Sequence, residues 1–126
     1  MIFDTDEIIW VQRGNVNAAK AITTAPTRFI ALQTYLELLQ CSPNKSRQQA
    51  VRRFLRDYDF RILPLSAEIG SRAATLVETY SLSHDMKAGD ALIASTALEN
   101  EQVLCTSNIK HFRQIPLLEL NKLSVE

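Results

Sequence analysis

Glycine and proline are scarce in this chain, at 3 and 4 of 126 residues. That scarcity excludes a low-complexity segment, a flexible linker or a turn-rich repeat array. Charge of one sign is missing too: 14 Lys and Arg face 14 Asp and Glu, for a net charge of zero. A protein held to nucleic acid by bulk charge alone is thereby excluded, although a local basic patch is not. No apolar run approaches the roughly 20 residues of a membrane span. No basic leader precedes Asp4 and Asp6, which argues against a signal peptide and for a cytoplasmic protein. The two cysteines, Cys41 and Cys105, fit no metal-ligand spacing and are expected to be free, buried thiols.

What is there is an ordinary globular composition, 46% hydrophobic and 22% charged, of a length suited to one domain over residues 1–126. Short apolar runs alternate with helical patterns. Met1 to Phe3 reads as a strand, and Asp4-Thr5-Asp6 offers N-cap chemistry for a helix through Glu7 to Val11. Further helices are expected over Asn17–Thr24, Thr34–Cys41 and Lys45–Tyr58, from Ser66 to about Tyr80, and around Asp90 to about Asn100. Strands are expected at Phe29–Leu32, Arg61–Leu63, Val103–Cys105 and Leu117–Leu120. Ser83–Lys87 reads as a polar loop and Thr106-Ser107-Asn108 as a polar turn. This alternation implies an α/β fold with a short, helix-covered parallel sheet. Sites in such folds form at the carboxyl ends of strands, where Asp4 and Thr106–Asn108 fall.

Three acids sit in apolar surroundings. Asp90 leads the helical stripe of Ile93, Ala94, Ala97 and Leu98, Asp4 follows Met1-Ile2-Phe3, and Glu37 lies within Tyr35-Leu36-Glu37-Leu38-Leu39. An unpaired buried carboxylate costs several kcal/mol or more, so acids that avoid solvent call for a partner. Capping could explain Asp4 or Asp6, and the helix dipole could explain Asp90, each alone; Glu37 could point to solvent. Taken together they fit one shared cation. Oxygen-only ligands suit Mg²⁺ or Mn²⁺ better than Zn²⁺. A carboxylate-held ion of that kind activates water and stabilises phosphoryl charge, which makes phosphodiester hydrolysis the implied chemistry. Ser95 and Thr96 lie in no nucleophile-elbow motif, so serine hydrolase chemistry is set aside.

The residues resemble the PIN-domain family, in particular the VapC-like toxins of bacterial type II toxin–antitoxin modules. The resemblance rests on Ile2-Phe3-Asp4-Thr5-Asp6, Thr34-Tyr35-Leu36-Glu37-Leu38-Leu39, Arg53-Phe54-Leu55, Asp90-Ala91-Leu92-Ile93-Ala94 with Thr96-Ala97, and Thr106-Ser107-Asn108-Ile109-Lys110-His111-Phe112, in that order over nearly the whole chain. It implies a three-layer α/β/α sandwich and RNA cleavage with Mg²⁺ or Mn²⁺. By position Asp4, Glu37 and Asp90 would be catalytic and metal-binding. Thr5, Asp6, Thr106 and Asn108 would support them. It also implies a VapB-like antitoxin partner, a homodimer, and tRNA or rRNA as target. Asn108 stands where a fourth acid is usual, and His111 where an acid is frequent. Gly89 stands where alanine is more usual, with little consequence expected for the chemistry.

Lys110, His111 and Arg113 are candidate RNA contacts, with His84 and His111 otherwise read as loop and surface histidines. The basic helix 45–58 is a solvated face, an RNA track or an antitoxin dock. The apolar face of Ile8, Ile9 and Trp10 is a second candidate surface, with Trp10 and Tyr35 read as packing residues. The alternative to a nuclease is a catalytically inactive PIN-like interaction or RNA-binding module. A small domain using its acids only as caps explains least.

Overall fold

The computed structural model of the chain describes residues 1–125. Five strands form one sheet in the order β3-β2-β1-β4-β5, and every pairing is parallel. They are β1 (Ile2–Phe3), β2 (Phe29–Ala31), β3 (Arg61–Leu63), β4 (Leu104–Thr106) and β5 (Leu120–Lys122). The chain starts in the middle, builds outward through β2 and β3, then returns to the other side of β1 with β4 and β5. The point where the order reverses therefore lies between β1 and β4, and there the connecting chain leaves in opposite directions and opens a crevice.

The period of two along each strand sorts the core into two layers. Ile2, Ala31 and Leu104 face a cluster with Ala73, Leu76, Ala91, Ile93, Ala94 and Ala97. Their neighbours Phe3, Ile30 and Cys105 face the other way, onto Ile8, Ile22, Leu38, Val51 and Leu55. Helices α5 (Ala67–His84) and α6 (Ala88–Glu99) cover the first face. Helices α1 (Thr5–Gln12), α2 (Val16–Thr24), α3 (Leu32–Gln40) and α4 (Lys45–Asp57) cover the second. The three-layer α/β/α sandwich expected from the sequence is what forms. No helix among the described residues is long and apolar enough to cross a membrane.

Several local expectations shift. The segment 83–87 is not all loop: α5 runs on to His84 and stops at Asp85, whose left-handed backbone (φ 52°) ends it. A short helix, α7 (Ile109–Phe112), follows the polar turn. The last strand lies three residues later than its apolar run suggests, because Leu117 takes a left-handed turn (φ 67°) and is exposed. The stripe of Asp90 is not a single stripe. Ala91, Ser95 and Thr96 are buried as fully as Ile93, Ala94 and Ala97, so α6 is sunk between α5 and the sheet and buried on more than one face. Cys105 is buried as expected, but Cys41 is exposed, since it caps α3 where the chain turns outward. Ile8 is fully buried, while Ile9 and Trp10 are half-buried and pack against its cluster.

Candidate active site

The acids are gathered at the carboxyl edge by the ends of four elements. Asp4 leaves β1 and caps α1, its Oδ1 accepting from the Thr5 N–H at 2.8 Å. Its backbone N–H is held by the Cys105 carbonyl of β4 at 3.0 Å, so the sheet itself places the residue. Its other oxygen, Oδ2, accepts from the Thr106 hydroxyl at 2.9 Å. Asp4 is thus a cap that remains a candidate site residue; its capping bond uses one oxygen and leaves the other facing β4. Thr106 in turn accepts from the Asn108 N–H at 2.9 Å, and the Asn108 side-chain amide donates to Asp6 Oδ2 at 2.7 Å.

Glu37 reaches the same edge from the second turn of α3. Its Oε1 accepts from the Thr5 hydroxyl at 2.5 Å, and its Oε2 from the Gln33 amide at 3.3 Å. Thr5 has one hydroxyl proton, and the shorter bond to the carboxylate claims it. The fully buried Thr34 hydroxyl, 3.1 Å away, must then donate to Thr5, giving a relay Thr34 to Thr5 to Glu37. Thr34 is a site residue that sequence reasoning quoted inside a motif but gave no role; a threonine on the buried face of α3, three residues before Glu37, was the available signal.

Asp90 enters from the first turn of α6, where the helix dipole favours an anion. Its Oδ2 lies 3.2 Å from His111 Nδ1. The reading of His111 as a plain surface histidine is therefore corrected: its ring is more than half exposed, yet it is anchored on the acid by α7. Lys110 and Arg113 flank it on the exposed side.

These carboxylates feel one another. Burial pushes Asp4 up to about 6, against the Thr106 hydrogen bond, and the charges of Asp6 and Asp90 raise it further. Burial also raises Asp90; His111 opposes the shift, while Glu37 and Asp6 add to it. Among the described residues, none of Asp4, Asp6, Glu37 and Asp90 is paired with a lysine or arginine. Uncompensated, mutually repelling oxygen donors are a donor set that fits a hard divalent cation. As the side chains stand, no three acids among the described residues close around a single point, since Thr5 and Gln33 hold Glu37 back and His111 holds Asp90.

Gly89 lies against the Glu37 carboxylate. A Cβ at this position would lie 2.8 Å from Glu37 Oε2 and 3.3 Å from Gln33 Nε2. Glycine lets the α3 carboxylate rest against the start of α6.

Sequence reasoning also missed Glu7, a fully buried carboxylate on α1. Its Oε1 accepts from the Ser107 N–H at 2.8 Å, and its Oε2 has no hydrogen-bond partner among the described residues. Burial, then the charge of Asp4, pushes it up to about 7. An acid directly before the apolar run Ile8-Ile9-Trp10-Val11 was the one available signal.

Known structures share this fold. A toxin–antitoxin complex from Klebsiella pneumoniae contains a chain 29% identical, with a TM-score of 0.77 over 91% of this chain and 92% of that one. VapBC2 from Rickettsia felis, bound to a DNA fragment from its promoter, gives 23% identity and 0.78 over 98% and 100%. VapBC-1 from nontypeable Haemophilus influenzae gives 22% and 0.77 over 97% and 98%. The latter two, at such identity, speak for the fold. No curated protein matches the chain. The family model of the PIN domain matches residues 1–117, nearly the whole length over which the sheet and its acids have been described. The chain therefore belongs to the PIN domain family, a nuclease-type family.

Proposed function

We propose that the chain is a Mg²⁺- or Mn²⁺-dependent endoribonuclease acting as the toxin of a type II toxin–antitoxin module, with tRNA or rRNA as its substrate. One observation supports the reading: Asp4, Asp6, Glu37 and Asp90 lie close enough at the carboxyl edge of the sheet for their charges to raise the pKa of Asp4 and Asp90, with no lysine or arginine paired to them among the described residues. The toxin–antitoxin complexes among its structural neighbours support the antitoxin partner.

In this reading Asp4, Glu37 and Asp90 hold the ion. When bound, such an ion supplies an activated water and stabilises the charge that develops on the phosphate oxygens. Thr106 keeps Asp4 turned toward the crevice, and Thr5 sets the reach of Glu37. Asn108 adds no charge but steers Asp6 by its amide. Lys110, His111 and Arg113, on the exposed side of Asp90, hold the substrate phosphates. An antitoxin segment and a second copy of the chain complete the assembly; a protein monomeric by light scattering would count against the dimer.

The test is RNA cleavage by the purified protein and by Asp4→Asn and Asp90→Asn. Both substitutions keep the shape of the side chain and are expected to abolish cleavage with the fold retained. Full activity in both would overturn the reading. The neutral Asn108 favours a second reading, an inactive module that binds without cutting. Metal-dependent turnover that EDTA removes would refute that one.

A further inference from the structure

Asp4 and Glu7 stand at the first and fourth positions of a pattern that usually closes a capping box, in which the acid at the third helical position turns back to the N–H of the cap residue. Here that N–H is already taken: the Asp4 N–H donates to the Cys105 carbonyl of β4 at 3.0 Å. Glu7 caps nothing. Its Oε1 instead crosses to the Ser107 N–H at 2.8 Å. A fully buried carboxylate with one oxygen so used and the other without a protein partner is an expensive way to fill space. An aliphatic side chain of the same volume would pack there at lower cost.

What the carboxylate obtains is a fixed loop. Thr106, Ser107 and Asn108 are consecutive, and each is tied to a different acid of the first turn of α1. The Thr106 hydroxyl holds Asp4, the Ser107 N–H is held by Glu7, and the Asn108 amide holds Asp6. Glu7 is the central tie and the one wholly shut off from solvent; Asp4 is nearly so, and Asp6 is exposed. Freeing Ser107 would release the residues on both sides of it, and with them the orientation of two site carboxylates.

We infer that Glu7 is a positioning residue: by gripping the backbone between Thr106 and Asn108 it fixes the directions of Asp4 and Asp6. The inference rests on the nuclease reading of that site. It separates this chain's interior acid from the acids at the carboxyl edge, since Glu7 is shut off from solvent.

The experiment compares Glu7→Gln, which keeps an acceptor for the Ser107 N–H, with Glu7→Met, which fills the space without one. Three quantities are read: amide hydrogen exchange at Ser107 and Asn108, Mn²⁺ affinity by calorimetry, and kcat and KM for RNA cleavage. Glu7→Met is expected to fold with unchanged or higher Tm. It should also exchange Ser107 faster and lose about 10-fold or more in Mn²⁺ affinity or kcat, as loss of a partner behind a metal ligand does, with KM held. Glu7→Gln should stay near the wild type in all three. A merely structural Glu7 would instead lower Tm and leave kcat per folded molecule unchanged. Wild-type exchange and Mn²⁺ affinity in a folded Glu7→Met would overturn the inference. Should neither variant fold, exchange in the unaltered protein decides: a Ser107 amide as fast as that of exposed Lys110 overturns it, and one protected like β4 supports it. Failure of the nuclease reading would show separately, as a wild type that neither binds Mn²⁺ nor cuts RNA, while the exchange comparison still stands.

Discussion

Replacing Gly89 by alanine pits fold stability against site geometry, and the structure gives both sides. Gly89 lies in the first turn of α6, and alanine there relieves part of the roughly 1 kcal/mol by which glycine disfavours a helix. The added methyl, however, would sit 2.8 Å from Glu37 Oε2, so the carboxylate has to retreat by about 0.6 Å to reach ordinary contact at 3.4 Å. It cannot retreat freely, because its other oxygen is bonded to Thr5 at 2.5 Å. A displacement of about 1 Å at a catalytic constellation can cost 10²-fold, so a shift of this size should cost about 10-fold in rate. The expected result is a Tm equal to or slightly above wild type with Mn²⁺ affinity and cleavage rate both reduced. Gly70→Ala is the control: in α5 a Cβ at that position meets nothing within 4 Å, so it should stabilise by up to about 1 kcal/mol and leave the site alone. A Gly89→Ala protein that binds Mn²⁺ and cuts RNA like the wild type would refute the reasoning.

Other outcomes follow from the same contacts. Thr106→Val removes the donor to a buried Asp4 oxygen and the acceptor of the Asn108 N–H, and should cost about 1–3 kcal/mol in urea unfolding with cleavage impaired; a loss within experimental error in both would contradict it. Glu7 and Asp4 have folded-state values raised by burial to about 7 and about 6, so the native state binds more protons than the unfolded chain between the ordinary carboxylate range and those values. Stability of the metal-free protein should therefore be greatest at low pH within that window and fall as pH rises through 6 to 7. A Tm that climbs over the interval would refute this, and saturating Mn²⁺ should offset the fall by neutralising Asp4. Removing divalent ions with EDTA should stop cleavage and excess Mn²⁺ restore it; cleavage that persists in EDTA would exclude the proposed chemistry.

The fold was legible because its cues are local. Two-residue alternation at Ile2-Phe3 and Leu104-Cys105 and helical spacing in α4 are properties of neighbours in sequence, and the strand-helix alternation left few topologies open. Where the structure departed, the deciding force was tertiary. The polar tail of α5 stays helical because Tyr80 and Met86 pack on the core around it, and Leu117 breaks the apolar run of the last strand by its turn. The acids on apolar faces, Asp4 and Asp90, could be picked out because burying charge is costly wherever it occurs. Glu37 could be noticed but not oriented, since Thr5 and Gln33 set its direction and neither contact has a sequence signature. Glu7 read only as the start of a helix; its bond to the Ser107 N–H, 100 residues away, leaves no local trace. The close approach at Gly89 lies between two helices far apart in the chain and leaves no trace in either.

Placing the first strand at the centre of the sheet also fixes the order in which the protein can become active during synthesis. Asp4 is synthesised well ahead of the threonine that orients it, which follows 102 residues later. A nascent chain that has passed Asp90 already carries Asp4, Glu37 and Asp90, but without β4 the reversal between β1 and β4 does not exist and the carboxyl edge has no crevice. Parallel pairing over such a separation is slow to form and cannot be rehearsed by local contacts. Fragments released before β4 by stalling or proteolysis should thus contain the acids and none of the activity, so that β4 works as a timer on β1.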